Sequence, residues 1–539
     1  MYVPSISLCM IVKNEQAFLA RMLQSVQGIV QEMIVVDTGS TDDTVKIAKQ
    51  HGAIVLSVPW EDDFAKARNV GLDKASERWI LFMDADEELD QGDIAELCAY
   101  AAHEEYEGFF LQVHNHVRME QGGTTVNPIL RMFKNLPQYR FEGAIHEQIS
   151  ASILYHCPAA QFHVSNVKIH HYGYTREVIL QKNKYIRNIT LLQKELERDP
   201  TNSFHLYNIA IEYWRGGSVA KAYETFHQAR VQLSPLTNYT HLVLKYEACC
   251  LAALGRMREA VELCQEGVQF YRDYTDLYHH QASFLSSLGL FERAKIAAAQ
   301  AIQIGPPKAH YHTEEGMGAH LTWYQLGKFN EATHDYDIAI NCYAEAMRLR
   351  PSFHTALYRI FRILRCTGRE SDVAKLLSER FAVHSPQVYM KVVSILYDAA
   401  CYAAVDEVVK QNSSKWSDPS IKQTVLMLQD LARRLYGAIS PGDNQEPNAG
   451  EDASALSFGI QSAYASGHLT QVMEKLNVFR SHIVNSSLPA EDYVWTTQAF
   501  VHCLSALCDK HLTVLLPTNL RPLITDVRLQ LPSKFTSEG

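Results

Sequence analysis

Two patterns of hydrophobic and polar positions divide the chain near residue 176. Before that point, short unbroken apolar runs alternate with segments at helical spacing. Residues 6–12, 33–37 and 53–56 read as strands, and Trp79-Ile80-Leu81-Phe82-Met83 contains no polar residue, the mark of a strand buried on both faces. Between them, Phe18, Leu19, Met22, Leu23 and Val26 recur at helical spacing. Val45, Ile47 and Ala48 open a second helix after a 38–44 turn rich in small and Asx residues, and 64–72 reads as a third. This alternation predicts a right-handed, mostly parallel αβα sandwich. Further strands are expected at 108–114, 129–134 and 167–174.

From Glu177 helical spacing takes over, and a repeat shows. Leu254-Gly255 is followed 34 residues later by Leu288-Gly289 and 38 residues after that by Leu326-Gly327, while Gly217 lies 38 before Gly255. Ala222, Ala260, Ala294 and Ala332 each fall five residues after such a glycine. A glycine where a helix pair turns and a small residue where two helices cross predict tetratricopeptide-like repeats over 177–436, with Thr367-Gly368 and Ala374 as a degenerate unit. Such an array buries its core only by stacking and leaves a concave groove, for binding or for a scaffold or homo-oligomer surface. Residues 437–457 are polar, with Pro and Gly, and read as a flexible linker. Residues 458–539 show helical patches with no legible role.

Composition removes several classes of function. A net charge of -10 gives no support for a nucleic-acid groove. No apolar run reaches the ~18 residues that a membrane-spanning helix needs. The first residues, Met1 to Ser5, carry no basic segment ahead of an apolar one, so no signal peptide is expected. Eleven scattered cysteines without a Cys-x-x-Cys argue against disulfide frameworks and metal cages, and the expected location is cytoplasmic.

Candidate chemistry sits where the strands end. The 79–83 run stops at Asp84-Ala85-Asp86-Glu87-Glu88, four carboxylates in five positions. Burying them unpaired would cost too much, so they must emerge in a cleft facing a cation. Asp84 and Asp86, two apart on an extended chain, would point the same way and share a divalent ion through hard oxygens. A lone Asp-x-Asp is more often a solvated loop. Here Glu15 follows the first strand and Asp37 ends the second, so three strand ends bring carboxylates to one sheet edge, beside a Gly39-Ser40-Thr41 turn. That combination suits a nucleotide diphosphate and its metal. Neither a P-loop nor a Gly-x-Gly-x-x-Gly is present.

The ordered motifs Met10-Ile11-Val12-Lys13-Asn14-Glu15, Val36-Asp37-Thr38-Gly39-Ser40-Thr41-Asp42, Ala67-Arg68-Asn69-x-Gly71 and Met83-Asp84-Ala85-Asp86 resemble a family 2 glycosyltransferase of the GT-A fold. The resemblance covers residues 5–176. It implies a nucleotide-diphosphate sugar donor, a UDP-sugar above all, bound by Ile11, Glu15, Asp37, Arg68, Asp84, Ala85 and Asp86. Asp37 would hold the base, Glu15 would sit by ribose or base, Arg68 on the nucleotide side, Asp84 near ribose and donor sugar, and Asp86 on a Mn²⁺ or Mg²⁺ ion.

The acceptor side falls to the rest of the domain. Within Phe141-Glu142-Gly143-Ala144-Ile145-His146-Glu147, a Glu beside a His after a Gly turn is a plausible base, since an inverting transferase needs a carboxylate to take the acceptor proton. Glu147 is preferred to Glu142, and His146 is a candidate for the acceptor side, although a histidine alone is more often a satisfied structural residue. His170-His171-Tyr172-Gly173-Tyr174 resembles the closing His-x-Gly-Tyr strand of one subgroup, with His171, ahead of His170, as a third metal ligand. No Gln-x-x-Arg-Trp is present, which disfavours long-chain synthesis. The reading is a metal-dependent inverting glycosyltransferase whose repeats help select a peptide, protein or glycan acceptor. A tetratricopeptide adaptor with an inactive transferase domain is the rival, opposed by intact Asp37, Asp84, Asp86 and Glu147. Nucleotidyl transfer on the same fold is disfavoured by the His146-Glu147 pair.

Overall fold

The computed structural model describes residues 5–116, 123–172, 178–381 and 385–412, with scattered positions between 421 and 433. The expected linker at 437–457 and the helical patches beyond it lie outside the described residues. The chain divides into two compact units, Met1–Thr333 and His334–Gly539.

The first unit opens on strands β1 (Ile6–Val12), β2 (Glu32–Asp37), β3 (Ile54–Ser57) and β4 (Trp79–Phe82), all parallel, in the order β3-β2-β1-β4. Helices α1 (Leu19–Ser25), α2 (Thr44–Gln50) and α3 (Phe64–Lys74) make the crossovers that parallel neighbours require. Side chains alternate between two cores. Leu8, Met10 and Leu81 join Leu19, Met22 and Leu23 on one face, while Cys9, Ile34, Ile80 and Phe82 join Ala65, Leu72 and Phe141 on the other. Every residue of β4 is buried, as its unbroken apolar run predicts, and each such side chain contributes about 1.5–3 kcal/mol.

Beyond β4 the sheet is mixed, which corrects the expectation of a mostly parallel one. β5 (Glu87–Leu89), after which comes α4 (Ile94–Tyr100), pairs antiparallel with β8 (Phe162–His171). β6 (Gly108–His116) and β7 (Thr124–Lys134) are antiparallel neighbours, β7 runs antiparallel to β4, and β8 follows α5 (Ser150–His156) to lie parallel to β6. The reason lies in the connection: seven residues between β6 and β7 are too few for a crossover helix, so the chain returns antiparallel.

The helical part begins with α6 (Val178–Arg198) and continues as the pairs α7 (Ser203–Arg215) and α8 (Val219–Arg230), α9 (Thr240–Ala253) and α10 (Met257–Phe270), and α11 (Thr275–Ser287) and α12 (Phe291–Ile304). Each pair turns at a left-handed glycine, Gly217, Gly255 or Gly289, with φ of 75–80°. Ala222, Ala260 and Ala294 are fully buried five residues later. The next expected marker is displaced. Gly327 lies inside α13 (His320–Ala332), and the left-handed turn falls instead at His334, φ 65°, with Ala339 fully buried five residues on. The cause is a long connection from Gly305 to Ala319, which lengthens this unit and carries β9 (Thr313–Glu314). The second unit contains α14 (Tyr336–Leu349), α15 (His354–Cys366), α16 (Asp372–Arg380), α17 (Pro386–Asp398) and α18 (Tyr402–Asn412), with the left-handed turn of α15–α16 at Gly368.

Two features join the sheet to the first repeats. β9 adds to β7 as an antiparallel strand, and Gln112 donates to the Ala309 carbonyl at 3.1 Å. Ile145, in the loop after β7, belongs to the same buried cluster as Leu191 and Leu192 of α6 and Leu206 of α7. The sheet and the early repeats thus share a core.

Candidate active site

The carboxylates after β4 emerge into a paired network rather than into solvent. Residues 83–86 leave the strand and turn, so Asp84 and Asp86 are not on the extended chain that the sequence reading expects, although both line one cavity. Asp84 accepts from Arg68 Nη2 at 2.9 Å and lies 3.4 Å from Arg131 Nη2. Although burial alone would raise it, the guanidinium of Arg68, then that of Arg131, holds the Asp84 carboxyl well below the usual carboxylate range. Glu87, fully enclosed, pairs with Arg131 at 2.5 Å and accepts from the Asp84 backbone N–H at 2.9 Å. Burial pushes its carboxyl up to about 7, with Arg131 opposing and Asp84 adding to the rise. Both guanidinium groups lie over the Phe82 ring, at 5.0 and 4.5 Å from its centroid.

Asp86 is paired with His171. Their Oδ2 and Nε2 atoms are 3.3 Å apart, and His171 Nδ1 donates to Asn115 Oδ1 at 2.7 Å. Burial lowers the imidazole pKa, but the hydrogen bond and charge of Asp86 outweigh it and raise the group. Strand parity separates the two histidines of β8. His170 points to the opposite side, between Asp90 at 2.9 Å and His116 at 3.0 Å.

The loop after β7 supplies the third carboxylate. Arg68 Nε donates to Glu147 Oε1, and Asn69 ties the loop down, donating to the Phe141 carbonyl at 3.0 Å and accepting from its N–H at 2.9 Å. Glu147 and the adjacent His146 line the cavity, whereas Glu142 is exposed outside it, its backbone bridging to Gln148. His146 takes a left-handed φ of 53°, its Nε2 is buried without a partner among the described residues, and burial followed by Arg215 pushes its pKa down to about 4.

At the ends of β1 and β2, Glu15 lines the cavity together with Ile11, while Ala85 lines it beside Asp84 and Asp86. The Asp37 carboxylate is buried and turned back on its own loop, accepting from Ser40 N–H at 3.0 Å and Gly39 N–H at 3.3 Å. Thr38 beside it faces the cavity. Asn14, at φ 57°, accepts from Thr41 N–H at 2.8 Å, so the first two motifs are laced together. The cavity holds about 860 Å³, and its far side is built by the repeats: Arg187 of α6, Tyr207 of α7, His241 of α9, and His310 and His312 before β9.

The model of glycosyl transferase family 2 matches residues 7–166, and a tetratricopeptide repeat model matches 321–353. A TPR repeat-containing protein of Synechococcus elongatus is 30% identical over 315 residues, 56% of this chain and 76% of that protein. The chain belongs to the family 2 glycosyltransferases that carry tetratricopeptide repeats. The SPbeta prophage-derived glycosyltransferase SunS of Bacillus subtilis is 30% identical over 206 residues, 38% of this chain and 48% of SunS. An uncharacterized glycosyltransferase of Rickettsia felis is 49% identical over 89 residues, 16% of this chain and 29% of that protein. The chain thus spans less than half the length of these two relatives.

Within this glycosyltransferase domain, Arg131, Asn115 and Glu87 hold the named residues in place, and pattern reading assigned them no role. Arg131 left a trace, a lone charge inside the apolar run Ile129-Leu130-Arg131-Met132-Phe133, which a buried strand tolerates only beside a carboxylate. Asn115 left none. Asp86 and His171 bring one hard oxygen and one imidazole nitrogen within 3.3 Å, with Asn115 fixing the ring through its other nitrogen, but no third His, Cys, Asp or Glu joins them as a ligand set among the described residues.

Proposed function

We propose that this chain transfers a sugar, with inversion, from a nucleotide-diphosphate donor such as a UDP-sugar to a peptide, protein or glycan acceptor that the repeats help to hold. The observation that supports this most is one cavity lined by both Glu147 and the Asp86–His171 pair. Asp86 and His171 would hold the divalent ion, whose chemistry is to neutralise the leaving diphosphate. Glu15, Ile11, Thr38 and Ala85 would enclose the nucleotide, with Asp37 shaping the loop around it. Arg68 fixes one oxygen of Glu147, and Oε2 makes no hydrogen bond among the described residues. That oxygen takes the acceptor proton as the acceptor atom bonds to the anomeric carbon and the bond from that carbon to the phosphate oxygen breaks. Asp84, held ionised between Arg68 and Arg131, keeps Arg68 from swinging away. All nine cysteines among the described residues are free, which suits a reducing compartment such as the cytoplasm.

A panel of nucleotide sugars incubated with the protein and Mn²⁺ tests the reading, because slow hydrolysis needs no acceptor. Release of one nucleotide, lost in Asp86→Ala, is expected. No hydrolysis and no nucleotide binding with any donor would overturn it.

A further inference from the structure

The two halves of the cavity differ in charge. All four carboxylates that line it, Glu15, Asp84, Asp86 and Glu147, come from the glycosyltransferase domain, whose Lys13, Arg68 and Arg131 also line it and leave that half one net negative charge with histidines counted neutral. The lining residues from the repeats include Lys184 and Arg187 and no acid. These two cations lie one turn apart on α6, both exposed, and neither has an ion-pair partner among the described residues. Arg187 donates only to the neighbouring Asn188 Oδ1, at 3.0 Å from Nη2, and its guanidinium lies 5.2 Å over the Phe64 ring. The acid behind them, Glu212, is buried, accepting from Asn188 at 3.0 Å with Arg215 at 3.8 Å.

Two histidines of this region, His146 and His312, register the same field, whereas Asp273 partly offsets it at His310. His146 is pushed down to about 4 by burial, then by Arg215, His205 and Arg187, with no acid offsetting them. His312 is driven well down by burial, then by Lys245, His241 and Arg215. The repeat-built half therefore carries two cations and no acid, against a sheet-built half whose four carboxylates are largely balanced by Lys13, Arg68 and Arg131.

We propose that this wall binds a carboxylate-bearing peptide, so that the acceptor is an acidic segment laid along α6 with its reacting side chain at Glu147. The inference rests on the reading that the sheet-built half holds the donor. Lys184 and Arg187, three residues apart on α6, are neighbours on one face of the helix and offer two cations to the side chains of an acidic segment. Asn188 and Asn238 bring amides to the same wall, groups that pair with peptide N–H and C=O. Carboxylates there would be steered to the wall and kept from the diphosphate that the donor half would hold.

The test uses the full chain with Mn²⁺ and UDP, and two fluorescein-labelled peptide pools of about 12 residues, one with Asp or Glu at every third position and one with Asn or Gln there. The acidic pool should bind at least about tenfold tighter, and the paired substitution Lys184→Glu with Arg187→Glu should remove that advantage. UDP affinity, measured by calorimetry, should stay within about twofold in that variant, since both residues lie on the repeat side. Equal binding of the two pools, or an advantage that survives charge reversal, would overturn the proposal. A hexose phosphate that displaces the acidic pool at lower concentration than the pool itself binds would overturn it in favour of phosphorylated acceptors. Absence of UDP binding would count against the donor reading instead, so the two failures are distinct.

Discussion

Arg68 donates through Nε to Oε1 of Glu147, joining α3 to the loop that carries the proposed base. The bond fixes the carboxylate at the wall of the cavity while its neighbour Glu142 points to solvent. Glu147→Gln keeps shape and removes basicity, so transfer should fall by ~10²–10⁴ with UDP affinity nearly unchanged. Glu142→Gln should retain transfer within a few-fold. Paired kinetics and calorimetry check both, and a dead Glu142→Gln with an active Glu147→Gln would reverse the assignment.

Asp86 and His171 should act together on the metal. Asp86→Ala is expected to abolish Mn²⁺-dependent UDP binding while leaving the circular dichroism spectrum unchanged. Asn115→Ala, which frees the His171 ring without removing a ligand, should weaken Mn²⁺-dependent binding by roughly 10–100-fold. Unchanged Mn²⁺ titrations in both variants would remove the metal role.

Ile145 anchors the Glu147 loop in the repeat core, at 4% exposure. Ile145→Ala should destabilise the first unit by about 2–5 kcal/mol. It should also lower kcat more than it weakens UDP binding, because the donor-side residues sit on other elements. A fragment ending near residue 175 loses the same anchor together with the far wall of the cavity. Such a fragment, if folded, should bind UDP without transferring.

Buried neutral histidines make the first unit acid-sensitive. Burial, then Lys245, pushes His241 down to about 3 from an ordinary 6.5. Between those values the unfolded chain binds a proton that the folded one does not, so stability falls as pH drops from about 6.5. His241→Phe keeps a ring against Tyr274, whose centroid is 4.8 Å from that of His241, and removes the titration. Urea unfolding at pH 7 and pH 5 should show a larger loss in the parent than in the variant.

Lys245 and Asp276 form a buried pair at 3.2 Å, and Asp276 also accepts from Thr313 Oγ1 at 2.5 Å, on β9. Asp276→Asn leaves the lysine uncompensated and should cost about 3–5 kcal/mol. Hydrogen exchange should quicken at 305–319 and in β7. Changing both Lys245 and Asp276 to apolar residues should recover much of that stability, without restoring the protection at β9.

Much of this protein was legible from local pattern. The unbroken run at Trp79–Phe82 specified a doubly buried strand, because no other placement removes four large side chains from water. The Gly217, Gly255 and Gly289 turns with their buried alanines were readable because glycine escapes the Cβ clash at positive φ and alanine lets helices approach. The direction of β7 and the shifted turn at His334 were not, since antiparallel return and a long inter-helix insertion leave no periodic trace. At the site, sequence proximity placed Asp84 and Asp86 side by side and the resemblance set His171 near Asp86, yet only the tertiary structure sent Asp84 to Arg68 and Arg131. Those two partners lie on α3 and β7, 16 and 47 residues from Asp84. Charge pairing in a buried site is decided by which distant side chains reach it, and local patterns carry no record of that distance.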